Sequence, residues 1–338
     1  MSRRLGRTAV RSLLSLLVLG LLGTLAACGS SSAASTNTST SAQSTAYHAS
    51  IQGKFGTTTI TSRPVRVVAL SWTDADFALA LGVTPVGITK VSTATGGIQP
   101  WTKTALGSAS PTVLDTTDGD PIEAIAALRP DVILATKDYN LTTSYADLSK
   151  IAPVVTYVSG PNNDSWQQDF ANVATALDAS AKAKTVTAST EAAIAKTKST
   201  YAELSGKTFS YIVAPSTSGA YTVNSTTDVS AQLLGELGMQ LSPADLKLPS
   251  SSTPGRAQVS LENLDELNAD VVIAASDSAG LSMLASNAVF EKMAAVERGS
   301  YVPLDYTAAT ALAFPSPLSL QWAMSNVVPR LAAAATKS

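Results

Sequence analysis

The sequence predicts an α/β chain of two similar lobes joined by one long helix, on three observations. First, the stretch 121–135 returns at 260–274 without a gap, aligning Glu123 with Glu262, Leu128 with Leu267, Asp131 with Asp270 and Ala135 with Ala274. The two copies lie a domain's length apart, too far for a solenoid period. Second, each copy places apolar residues at i, i+3 and i+6 (Ile122, Ile125, Leu128; Leu261, Leu264, Leu267), then an acidic residue, then a short β-forming run. That pattern reads as a short helix feeding a buried strand. Third, residues 165–204 contain neither Gly nor Pro and carry apolar residues at helical intervals.

The chain has 338 residues, room for two ordinary domains. Apolar residues make up 45% and charged residues 14%, so a large core is available and the surface is short of charge. A net charge of −2, with no basic block beyond residue 11, argues against nucleic acid, which needs a cationic face. Cys28 is the single cysteine and His48 the single histidine. Disulfide frameworks and thiolate zinc sites therefore lack their residues, and Ser-His-Asp chemistry is left only His48, at the edge of a Ser/Thr-rich stretch where an exposed, inert role is the plainer reading. No P-loop and no G-x-S-x-G elbow is present.

In chain order, residues 1–28 read as an export signal. Arg3, Arg4, Arg7 and Arg11 precede an apolar run at 13–25 that is short for a permanent membrane span. The run ends Leu25-Ala26-Ala27-Cys28-Gly29, which resembles the bacterial lipobox and implies lipidation of Cys28. Residues 29–46 are mostly Ser, Thr and Ala and read as a flexible tether. The first lobe spans 47–164. It has a hairpin or edge strand near 57–60, a buried strand at 65–70, and a helix capped by Thr73 and Asp76 that ends at Gly82. A strand at 83–88 follows, then long loops to Pro121, the first repeat copy, a helix at 145–151 and a strand at 154–158. Residues 165–206 form the bridging helix; about 40 residues would make a rod of about 60 Å. Two helices broken near 179–187 are the alternative. The second lobe, 207–338, opens with a strand at 208–214. A helix follows at 228–237, then the second repeat copy, a strand at 299–304 and a terminal helix from Pro317.

Taken in this order and spacing, several motifs resemble one family. They are Arg66-Val67-Val68-Ala69-Leu70-Ser71-Trp72-Thr73-Asp74-Ala75-Asp76 leading to Leu81-Gly82-Val83, the two repeat copies, the long helix, and Phe314-Pro315-Ser316-Pro317-Leu318. The family is the substrate-binding lipoproteins of iron-siderophore and cobalamin-type ABC importers, the class III periplasmic binding proteins. The resemblance implies two Rossmann-like lobes bridged by a helix, little hinge motion, and a ligand cleft between the lobes. It also implies capture of a ferric siderophore outside the cytoplasmic membrane, with haem or cobalamin as alternative cargo, and delivery to an ABC permease. In the family a surface glutamate on each lobe docks to permease arginines, and the matching positions are Glu123 and Glu262. The plainer role for Glu123 is a capping box with Asp120 at the N-cap and Pro121 at N1; Glu262 would sit one position early for that role.

Ligand pockets in open α/β sheets form beyond the carboxyl ends of strands. Candidates leaving predicted strands are Trp72, Lys137 and Tyr139 in the first lobe, and Tyr221, Arg256, Tyr306 and Phe314 in the second. Trp101, in the Gly/Pro-rich loop, joins them. Aromatic rings can pack on a chelate's organic shell, and Lys or Arg can pair with anionic oxygens. So few cations favour a weakly charged chelate such as a hydroxamate over a tris-catecholate. No intrinsic cofactor and no bare-metal site is expected, although an Fe³⁺ site built from tyrosines stays open. A monomer is expected. An exported enzyme or a sensor lipoprotein on the same fold are the competing functions. For the enzyme, Asp74 and Asp76 lie two apart and do not face one another on a helix, so capping is their plainer role.

Overall fold

The computed structural model describes residues 47–338. The export signal, Cys28 and the whole of the 29–46 tether lie outside the described residues.

Among the described residues the chain enters through the hairpin β1 (Ala49–Gly53) and β2 (Gly56–Ile60), which there pair only with each other. The hairpin leans on the first lobe through Lys54 N–H to the Tyr157 carbonyl, 2.8 Å, and Thr58 Oγ1 to the Val154 carbonyl. That lobe alternates β3 (Val67–Ala69), α1 (Trp72–Ala80), β4 (Gly87–Thr89), α2 (Pro100–Leu106), β5 (Thr112–Leu114), α3 (Ile122–Ala127), β6 (Val132–Ala135), α4 (Leu141–Ile151) and β7 (Val154–Thr156). Its strands form a five-stranded parallel sheet ordered β5-β4-β3-β6-β7. β3 and β6 are buried throughout, as their unbroken apolar runs require of a sheet covered on both faces.

The predicted bridging rod is two helices, α5 (Trp166–Ala176) and α6 (Ser180–Thr200). The break is a Schellman motif: Ala179 N–H bonds the Ala174 carbonyl at 2.8 Å, and Asp178 takes the left-handed conformation at φ 54°. An aspartate fills the position that glycine usually marks, so the stop carries no Gly or Pro signal. The Arg63 guanidinium pairs with Asp178 across the turn.

The second lobe runs β8 (Thr208–Ser216), β9 (Gly219–Val223), α7 (Val229–Glu236), β10 (Gln240–Leu241), β11 (Arg256–Val259), β12 (Val271–Ala275), α8 (Ser278–Ala285), α9 (Ala288–Glu291), α10 (Ala294–Glu297), β13 (Tyr301–Leu304), α11 (Tyr306–Ala313), α12 (Pro317–Asn326) and α13 (Val328–Ala335). Its sheet is ordered β11-β9-β8-β12-β13, with β10 beside β8; β9 and β11 run antiparallel to their neighbours.

The two repeat copies share one structural duty. Asp131 accepts the backbone N–H of Val65 and Arg66 at 2.9 and 2.8 Å, ahead of β3, and Asp270 accepts that of Thr208 at 2.8 Å, at the start of β8. Each aspartate pins the first strand of its lobe beside the repeat's own strand. The helices differ. The first copy makes α3, whereas the second makes only a 3₁₀ turn at Leu264–Leu267. Asn263, Asp265 and Asn268 replace the Ala124, Ala126 and Arg129 of the first copy, and Asn and Asp are weaker helix formers. The capping roles also differ from expectation. Pro121 is the N-cap of α3, and Asp120 is engaged by Ser144 Oγ instead.

One apolar core runs through both lobes. Phe77 of α1, Phe170 of α5, Ile194 of α6, Leu234 of α7 and Leu320 of α12 belong to a single buried cluster. α12, although it follows the second lobe in sequence, packs against α1, α2 and α6.

Candidate functional site

Ser71 ends the β3 exit and caps α1, its Oγ accepting Asp74 N–H at 3.1 Å; the cap is therefore Ser71 rather than the predicted Thr73–Asp76 pair. That placement makes Trp72 the first helical residue, at the carboxyl edge of the sheet. The exits of β4, β5 and β6 bring Lys90, Thr116, Thr117 and Lys137-Asp138-Tyr139-Asn140 to the same edge, and together they line a cavity of about 310 Å³. Phe314 reaches in from the α11–α12 connection and meets Trp72 edge-on at 5.2 Å between ring centroids. The indole N–H points to the Lys90 carbonyl at 3.3 Å. Four of the eight predicted ligand residues, Trp72, Lys137, Tyr139 and Phe314, thus converge on one cavity. Tyr139 is 62% exposed, so its ring is open to a ligand.

A second cavity of about 370 Å³ lies between the lobes, walled by Asn162, Asn163, Asp164 and Gln167 on one side and Thr227, Gln232 and Glu236 on the other. Lys137 lines both cavities. Its ammonium is buried 2.9 Å from Asp169 Oδ2 of α5. Burial pushes the Asp169 carboxyl up to about 7 against the pull of that ammonium. The other lysine of the first cavity, Lys90, is likewise paired, with Asp115 at 2.7 Å.

The remaining candidates lie elsewhere. Trp101 is not in a loop but on α2, buried in the core, with its indole N–H donating to Asp76 Oδ2 at 2.7 Å. Tyr221 lies within β9 rather than beyond a strand's end, and Arg256 opens β11 with its guanidinium 2.6 Å from Asp228, the N-cap of α7. Tyr306 opens α11. None of these four lines either cavity. Lys90, Asp138 and Asn140 were not anticipated. β4 ends at Thr89, so the residue that leaves it is Lys90.

Asp74 and Asp76 do structural work without capping. Asp74, whose carboxyl burial pushes up, accepts from Ser71 Oγ and from Thr136 N–H and Oγ1. Asp76 gathers Trp101 Nε1, Thr102 Oγ1 at 2.6 Å and Ser316 Oγ at 2.7 Å, and burial raises it to about 6. Ser316 is the N-cap of α12, so this carboxylate fastens α12 to α1 and α2. Asp76→Ala leaves three buried donors unpaired, and each orphaned group costs about 1–3 kcal/mol. Urea unfolding should show a loss of at least about 3 kcal/mol, with Asp76→Asn, which keeps one acceptor oxygen, losing less.

Comparison with known proteins identifies the fold. The family model described as periplasmic binding protein matches residues 67–306. This chain belongs to the periplasmic binding protein family. Among solved structures, this periplasmic binding protein is similar to a periplasmic solute binding protein from Mycobacterium smegmatis, at TM-score 0.74 and 26% identity over 86% of this chain and 99% of the other. It is also similar to the iron uptake ABC transporter substrate-binding protein PiaA from Streptococcus pneumoniae in complex with ferrichrome, at TM-score 0.72 and 28% identity over 86% and 99%. Among curated relatives, the Fe(3+)-citrate-binding protein YfmC of Bacillus subtilis is 31% identical over 174 residues, 51% of this chain and 53% of YfmC. The match to the Fe(3+) dicitrate-binding protein FecB of Escherichia coli covers 41% of its length, so the chain spans about half the length of these two relatives. The putative ABC transporter substrate-binding lipoprotein YhfQ of Bacillus subtilis is 26% identical over 87% of this chain and 90% of its own.

Proposed function

We propose that this protein captures a ferric siderophore chelate outside the cytoplasmic membrane and delivers it to an ABC permease. The observation that carries the reading is the Trp72–Phe314 contact. Aromatic faces from both lobes close over one cavity at the carboxyl edge of a parallel sheet, where such folds take ligands. Relatives named for iron-citrate binding, and a solved relative holding ferrichrome, support ferric cargo. Both lysines of the cavity are already neutralised by carboxylates. That supports a weakly charged chelate of hydroxamate type over a highly anionic tris-catecholate.

Glu123 and Glu262 are the proposed docking points. Both are exposed at matching repeat positions, and neither has an ion-pair or side-chain hydrogen-bond partner among the described residues. Lipidated Cys28 is the proposed anchor to the outer face of the membrane.

Tryptophan fluorescence tests the cargo. Ferrichrome should quench with one-site saturation, and Trp72→Ala should weaken binding by about 2 kcal/mol, roughly 30-fold, as expected for a central aromatic anchor. Saturation by ferric tris-catecholate alone, or by haem or cobalamin alone, would overturn the assignment.

A further inference from the structure

The β6 exit carries a carboxyl that the ligand reading leaves unused. Asp138 is 3% exposed in the cavity wall, between Lys137 and Tyr139. Its Oδ1 accepts the Asn140 N–H at 2.8 Å, while Oδ2 is buried with no donor among the described residues. Asp120, ahead of α3, is its hydrogen-bonding neighbour. Ser144 Oγ of α4 serves Asp120 Oδ2, and Asp120 Oδ1 is also buried without a donor. An ionised carboxylate only accepts hydrogen bonds, so two such oxygens can adjoin in a dry site only if one carries a proton.

We propose that Asp138 keeps a proton that it donates to Asp120, and that this proton positions the segment presenting Tyr139 and Asn140 to the cavity. With the proton in place, a carboxyl–carboxylate hydrogen bond holds Asp138, Asp138 holds the Asn140 backbone, and the Asn140 amide holds the Thr116 carbonyl on the opposite wall at 3.1 Å. Without it, two like charges in contact repel and the wall loses its anchor. Asp138 is thus a positioning residue, and ligand capture becomes linked to pH. The link to capture rests on the cavity being the ligand site; the proton itself does not.

The charged surroundings reinforce the device. Asp74 of α1 adds further negative charge nearby. The ammonium of Lys137 is committed to Asp169 of α5, and Lys90 to Asp115 across the cavity. Burial first, and the charge of Asp120 second, push the Asp138 carboxyl up to about 8. The folded value lies above the ordinary 3.8, so the native state holds more protons than the unfolded chain between those values. Stability therefore falls as pH rises across that window and levels off above it.

Asp138→Asn mimics the protonated pair, because its amide donates to Asp120 while its carbonyl still accepts from Asn140. With ferrichrome as probe, wild type should bind up to about 30-fold more weakly at pH 9.5 than at pH 6.5, since losing one proton above about 8 costs a decade in Kd per pH unit over about one and a half units. Asp138→Asn should hold its affinity across that range. In the ligand-free protein, Tm should fall less steeply with pH in Asp138→Asn than in wild type. Asp138→Leu should bind weakly at every pH, since it restores neither hydrogen bond. Equal pH slopes of Tm and of affinity in wild type and Asp138→Asn would overturn the proposal. If wild type fails to bind ferrichrome at pH 6.5, the ferric-chelate reading fails and the ligand-free melting comparison alone decides the retained proton.

Discussion

Lys137→Met should destabilise the protein by about 3–5 kcal/mol, although the side chain it introduces is well suited to a core. Lys137 and Asp169 are a buried ion pair, with both side chains almost wholly removed from water. Taking out one partner leaves an uncompensated charge, the expensive outcome for such pairs. The pH dependence identifies the cause. In wild type the Asp169 carboxyl stands at about 7, above its ordinary 3.8, so its contribution to stability declines as pH rises between those values and is flat beyond. Removing the ammonium raises the folded value further. The variant's decline therefore continues to higher pH, and urea unfolding at pH 6 and pH 9 should separate the two proteins most at pH 9. The double variant Lys137→Met with Asp169→Leu should recover most of the loss, since replacing a whole buried pair by apolar groups is often near neutral. A double variant as unstable as the single one would place the damage in packing rather than in charge.

Reversing the two docking charges, Glu123→Arg with Glu262→Arg, should reduce chelate uptake at least about 100-fold while leaving the isolated protein unchanged. Both positions are exposed, so unfolding free energy should stay within about 0.5 kcal/mol of wild type per site. Chelate affinity should hold within about twofold, because neither residue lines a cavity. Against arginines on a permease, each reversal converts an attraction into a like-charge contact that costs several kcal/mol. Uptake of iron-labelled ferrichrome into cells, measured beside ferrichrome affinity, separates the effects. Normal uptake by the double variant would remove the docking assignment and favour a sensor lipoprotein on the same fold.

The repeat made the two-lobe plan legible because its aspartates and strands do the same task in both lobes. What followed each strand was readable where strands run parallel. Trp72, Lys137 and Tyr139 leave β3 and β6 at the edge where a parallel sheet opens. The same reasoning misplaced Tyr221, which lies inside the antiparallel β9, and Arg256, which stands at the amino end of β11 rather than at a carboxyl edge. Trp101 was misread for an electrostatic reason: a buried Asp76 needs donors, and the indole N–H supplies one. The helix break was legible only as the alternative to a single rod, because Asp178 adopts a conformation that composition ordinarily assigns to glycine or asparagine. The Asp120–Asp138 contact joins residues on separate loops and left no spacing signal.

The bond from Asp76 to Ser316 joins residues 240 positions apart. Until the segment around α12 arrives, the first lobe lacks one of the apolar partners of α1 and one of the three donors to that carboxylate. Contacts of such long range come late and slowly in folding, after a large loop has closed. A chain threaded through a translocation channel from its amino end therefore presents an unfinished first lobe until nearly all of it has emerged.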